Sequence, residues 1–167
     1  METKTLIKFD VTPEIEKRYT ISKDIFQLAV KSGVIKIREM VKIEQRWIMG
    51  GERYTGRIRK TSFFSLKNPI YEHTVKHHVG KSLDYEITTD INLKDYELLS
   101  GLYKDVAIQS KLRIYVIDQT GDYDGYTITV DIPDDKPNIC WVEIESNNPK
   151  DKKVEFKKPK WIQETDG

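Results

Sequence analysis

The sequence predicts a mainly β fold, an antiparallel barrel or sandwich that carries a few helices on its outside. Three observations point there. Roughly eight segments alternate apolar and polar residues with period two, only two segments have helical spacing, and charges of one sign recur at i and i+2 in strand after strand.

With 167 residues the chain suits one domain with a real core, and no stretch reads as a linker, so residues 1–167 are taken as a single unit. A hydrophobic fraction of 38% fits a soluble globular protein. The apolar runs are far too short to cross a bilayer, so no membrane partner is expected. METKTLIKFDV lacks a secretory h-region, and the lone Cys140 allows no internal disulfide, so a cytoplasmic location is expected. The 28 Lys and Arg against 27 Asp and Glu leave a net charge of +1, which argues against a generic polyanion binder and against nucleic acid as partner. Oligomeric state is not legible.

The elements follow in order. EIEKR, residues 14–18, reads as a strand with Glu14, Glu16 and Arg18 on one face and Ile15 and Tyr19 on the other. SKDIFQLAVKSG predicts a short helix, with Ser22 or Asp24 as cap, Ile25, Leu28 and Ala29 on the buried face, and Gly33 as stop. VIKIREM and MVKIEQRWIM are extended, and Gly50–Gly51 forms a turn into ERYTGRIRKTSFFSL. YEHTVKHHV and LDYEITTDI are separated by a break near Gly80. NLKDYELLSGLYKD predicts a helix capped by Asn92 that buries Leu93, Tyr96 and Leu99. IQSKLRIYVID, a GDYDG turn, GYTITVDIP and NICWVEIES complete the strands, and the tail from Asn147 packs in part.

Same-sign pairs flank single aliphatics: Glu14/Glu16, Arg57/Arg59, Lys111/Arg113, Glu143/Glu145 and Asp84/Glu86, while Thr74 and Lys76 share a face and Asp131 alternates with Val130 and Ile132. One such pair is an ordinary solvated face. Five, sorted by sign strand by strand, suggest the inverse arrangement: an eight-stranded antiparallel barrel with aliphatics outward against helices and a charged lumen. Crowded like charges require counter-ions. Phosphates suit Arg18, Arg57, Arg59, Lys76, Lys111 and Arg113; hard divalent cations, Mg²⁺ or Mn²⁺, suit the carboxylates. A metal-bound polyphosphate satisfies both.

In order along nearly the whole chain, EIEKR resembles the ExExK signature of the CYTH domains, the triphosphate tunnel metalloenzymes. IEQRWI is similar to their Q-x-Y strand, GRIRK to R-x-R, HTVK to T-x-K, LDYEI to the acidic fifth strand, SKLRIYVI to K-x-R, TVDI to the Asp-bearing strand and CWVEIES to the terminal ExE; PKWIQET resembles the stretch that follows. The resemblance implies a tunnel barrel that transforms triphosphates with divalent metals. It makes Glu14, Glu16, Glu143 and Glu145 metal ligands with Glu86 and Asp131 as helpers, and Arg57, Arg59, Lys76, Lys111 and Arg113 a phosphate clamp. Arg18 stands where the family has Lys, and Asp84 where it has a longer Glu.

The expected activity is a triphosphatase with a small-molecule triphosphate as substrate, in which a second metal, or a carboxylate such as Glu16 or Glu145, orients and deprotonates the attacking water and Arg18 stabilises charge beside it. The alternatives are a class IV adenylyl cyclase, whose early His-Phe feature the sequence lacks, and a binding module with little turnover. Clamp residues touch phosphates, so inorganic triphosphate, a nucleotide and thiamine triphosphate all stay open. His73, His77 and His78 read as partly exposed strand or turn residues, the tryptophans Trp47, Trp141 and Trp161 as packing on the barrel exterior or under the tail, Cys140 as a small buried apolar residue, and KDKKVEFKKPK as a solvated run.

Overall fold

A computed structural model describes residues 11–80, 83–148 and 157–162; the first ten residues, most of the Lys-rich run and the stretch 163–165 lie outside the described residues. The elements are β1 (Thr12–Ser22), α1 (Lys23–Lys31), β2 (Ile35–Gly50), β3 (Tyr54–Phe63), β4 (Ile70–His78), β5 (Leu83–Ile91), α2 (Leu93–Leu102), β6 (Gln109–Asp118), β7 (Thr127–Pro133) and β8 (Ile139–Ser146). The strands close into a barrel in the order β1-β5-β4-β3-β2-β6-β7-β8, and each described neighbouring pair is antiparallel. Of the two architectures the alternation allows, the chain adopts the barrel. Among the described residues no helix is long and apolar enough to cross a membrane.

Period two puts the main core outside the barrel. Tyr19 and Ile21 of β1, Ile114 and Val116 of β6, Ile128 and Val130 of β7, and Cys140, Val142 and Ile144 of β8 project outward and are buried under Phe26 and Ala29 of α1 and Ile162 of the tail. Trp161 joins this layer and donates from Nε1 to Asp118 Oδ2 at 3.1 Å.

The two extended segments on either side of Met40 form one long strand, Ile35–Gly50, with register irregularities between Ile37 and Glu39 and between Trp47 and Met49. The first of these switches faces: Ile35 and Ile37 pair beside outward residues, whereas Val41 and Ile43 stand opposite Arg113 and Lys111 and point inward. Both are buried, so the lumen has an apolar part on β2 that the charge pattern did not suggest.

α1 starts at Ser22, whose side chain accepts from the Ile25 N–H, and stops where Gly33 takes φ +79°. It docks through Phe26 and Ala29 with Ile25 packed beside them, as expected for Ile25 and Ala29, whereas Leu28 is 65% exposed, which corrects that one position. The phenyl ring removes more apolar area than Leu28 would, and so decides the helix's rotation. α2 is capped by Asn92 as expected but buries no residue fully; Leu93 is exposed, and Tyr96 is half-buried and tilted on Tyr71, ring centroids 4.8 Å apart.

Candidate functional site

Strand register decides which inward charges meet. Across the β1–β8 pair Glu16 stands opposite Glu145 and Arg18 opposite Glu143; across β1–β5 Glu14 stands opposite Asp84; across β4–β5 Lys76 meets Glu86 and His78 meets Asp84. Arg57 and Arg59 of β3 face Thr74 and Glu72 of β4 on one side and Trp47 and Gln45 of β2 on the other. Fifteen side chains line one cavity of about 190 Å³: from β1 Glu14, Glu16 and Arg18, from the cationic wall Arg57, Arg59, Lys76, Lys111 and Arg113, together with Glu143, Glu145, Asp84, His78, Thr55, Gln45 and Trp47.

Most of the charges are balanced internally. The Arg18 guanidinium holds Glu143, with Nε donating to Oε1 at 3.0 Å, and lies over the Trp141 ring at 5.4 Å. Lys76 bonds Glu14 and lies 3.8 Å from Glu86. Lys111 and Arg113 share Asp131, at 2.6 Å and a bidentate 2.8 Å. Arg59 donates twice to the neutral Gln45 Oε1, at 3.1 and 2.8 Å. Buried Nε of Arg57 has no hydrogen-bond partner among the described residues.

The proton affinities follow from burial and neighbours. Burial pushes Glu16 up to about 7, assisted by the Glu143 charge. Burial and Glu14 likewise push Glu86 up to about 7 and raise Glu145. Burial alone would raise Asp131 and Glu143, but Arg113 with Lys111 takes Asp131 down to about 2, and Arg18 with Arg113 lowers Glu143. Burial lowers Arg57, and with the neighbouring cations it brings Arg59 to about 9 and Lys111 to about 8. Burial works against Arg113 too, yet Asp131 raises it.

Glu14, Glu16 and Asp84 each place a carboxylate oxygen within 4.8 Å of the other two, a cluster that could hold a metal ion. From β5 the resemblance implies the longer Glu86 as a helper; its Oε2 is buried without a hydrogen bond, and Lys76 lies beside it. Of the other expected ligands, Glu145 adjoins Glu16 and is met by Asn147 Nδ2 at 3.4 Å, Glu143 is held by Arg18, and Asp131 has both oxygens committed to the cations of β6.

Residues that sequence reasoning left out of the site are Asp84 as a cluster member, His78, Thr55, Gln45 and Trp47. Gln45 and Trp47 carry the signal that could have found them, since they share a strand face that ends opposite the Arg57/Arg59 pair. Trp47 lies in the lumen with Arg57 5.8 Å from its ring centre, and Trp141 shares the inward face of β8 with Glu143; both correct the expected exterior placement, and only Trp161 packs outside.

No family model matches the sequence, and no curated protein matches it. Its fold is similar to that of the PH1012 protein from Pyrococcus horikoshii, with a TM-score of 0.60 and 16% identity over 83% of this chain and 82% of that one. It is similar as well to a conserved hypothetical protein from Pyrococcus furiosus, with a TM-score of 0.60 and 19% identity over 83% of this chain and 82% of that one. A Bacillus halodurans protein provisionally described as an adenylate cyclase is a third such neighbour, with a TM-score of 0.55 and 15% identity over 84% of this chain and 83% of that one. At these identities the likeness is one of fold: a closed, eight-stranded antiparallel barrel.

Proposed function

We propose that the protein is a divalent-metal-dependent triphosphatase of the triphosphate tunnel, or CYTH, type. The observation that carries this reading is the sorting of charge around one cavity: carboxylates from β1, β5 and β8 converge there with cations from β3, β4 and β6. A metal-bound triphosphate is a ligand that needs both.

The donor set fits the metal. Glu14, Glu16 and Asp84 are hard oxygen donors within 4.8 Å of one another, which suits Mg²⁺ or Mn²⁺ rather than a softer ion. When bound, the cation would supply Lewis-acid neutralisation of the phosphate oxygens. The chain's own residues supply the rest. Arg57, whose Nε lacks a partner, is the cation readiest to take a phosphate oxygen. Arg59, Lys111 and Arg113 hold the chain of phosphates from the side, while Lys76 and Arg18 exchange Glu14 and Glu143 for substrate oxygens. Glu145, whose proton affinity is raised by burial and by Glu14, accepts the proton of the attacking water.

A nucleotidyl cyclase is the second reading, favoured by the description of the Bacillus halodurans neighbour. Both are tested with one assay on inorganic triphosphate and ATP with Mg²⁺ or Mn²⁺. Orthophosphate with pyrophosphate or ADP is expected; cyclic AMP with stoichiometric pyrophosphate replaces the triphosphatase with the cyclase, and no turnover leaves a binding module.

A further inference from the structure

Carboxylates brought as close as Glu14, Glu16 and Asp84 repel one another, and their convergence has to be imposed by neighbouring groups. β4 supplies two such groups. Lys76 bonds Glu14, and two residues on, His78 reaches Asp84, Nδ1 to Oδ1 at 2.7 Å. A carboxylate only accepts, so the proton of that bond lies on Nδ1. On its far side the imidazole is fixed as well, with Nε2 3.2 Å from Thr55 Oγ1. Thr55, His78 and Asp84 thus form a hydrogen-bonded chain across β3, β4 and β5 that ends in the acidic cluster, and all three line the cavity.

The two props differ in kind. Lys76 offers a point charge, which a dication on Glu14 would repel. An imidazole needs no charge to donate from Nδ1, so its bond to Asp84 is compatible with a metal on the other carboxylate oxygen, as an outer partner that fixes a ligand's orientation. Asp is one methylene shorter than Glu, so its carboxylate has fewer rotamers with which to find an ion unaided.

We infer that His78, braced by Thr55, is a positioning residue that holds Asp84 in the metal cluster with Glu14 and Glu16. This rests on reading the cluster as a divalent-cation site. The test is titration of the full chain with Mn²⁺ alone, without substrate, followed by calorimetry. His78→Ala should weaken Mn²⁺ binding roughly tenfold to a hundredfold. His78→Asn, whose amide can donate in place of Nδ1–H, should recover most of it. Asp84→Ala should cost at least as much, and adding His78→Ala to it should cost nothing further, because His78 acts through Asp84. Unchanged Mn²⁺ affinity in a folded His78→Ala protein, with Glu14→Gln and Glu16→Gln weakened, overturns the role of His78 and leaves the metal site standing. Additive losses in the double variant also overturn it. A wild-type protein that takes up no Mn²⁺ overturns both the role and the site.

Discussion

Asp131 shows how a single residue can be charged, central and yet committed elsewhere. It is fully buried, and both of its oxygens are spent on Lys111 and Arg113, so it holds the cationic wall in place. Asp131→Asn would keep the shape and leave two buried cations short of a counter-charge, at a cost of about 3–5 kcal/mol measured by urea unfolding. Its partner Lys111, already brought to about 8 by burial, would shed its proton first, so the deficit should widen as pH falls from about 9 to about 6. A variant as stable as the parent would mean that the wall does not depend on this carboxylate. The inward position of Asp131 was legible from its alternation with Val130 and Ile132, but its partners were not, since they depend on β6–β7 register. The same holds for Asp84 and His78: a period assigns a face, and only register assigns a neighbour.

At the scale of elements, strands were the more legible because period two with sorted charge is a strong local signal. Helix faces were less so. α1 contains apolar residues at Ile25, Phe26, Leu28, Ala29 and Val30, enough for more than one face, and packing of Phe26 against the outer wall selects one. The Ser22 cap is both local and present, so Ser22→Ala should cost about 1 kcal/mol without altering metal binding. Phe26→Ala should cost about 3–5 kcal/mol, because it strips α1 from the core that β1, β6, β7 and β8 present outward. Thermal melts of the two variants check the ratio; equal small losses would place α1 outside the cooperative unit. α2 keeps a polar cap but no buried residue, and its amphipathic spacing overstated what the barrel could cover.

For the whole molecule, crowding of carboxylates makes stability depend on pH and on cations together. Glu16 and Glu86 are raised from 4.5 to about 7 in the folded protein. Between those values the folded chain holds protons that the unfolded chain has released, so stability falls as pH rises through this window and does not return above it. Asp131 works in the opposite sense, lowered from 3.8 to about 2, so its contribution is lost only as pH falls below the ordinary value. Without metal, the melting temperature should therefore decline from about pH 5 to about pH 8. Mg²⁺ or Mn²⁺ should restore it at the higher pH and change little at the lower, because binding needs the deprotonated cluster. A melting temperature that is flat across the range without metal, or a cation effect as large at the low end, contradicts this account.

The barrel wall is one residue thick, with the core on its outside and the chemistry on its inside. Damage to the two sides should therefore be inherited differently. In a library of single substitutions scored separately for cellular abundance and for turnover, β1 should read as a comb. Ile15, Tyr19 and Ile21 would be the teeth that lower abundance, and Glu14, Glu16 and Arg18 the gaps where abundance is kept and turnover disappears. Some replacements of Glu16 by apolar residues should even accumulate better than the parent, since they relieve the repulsion among Glu14, Glu16 and Asp84.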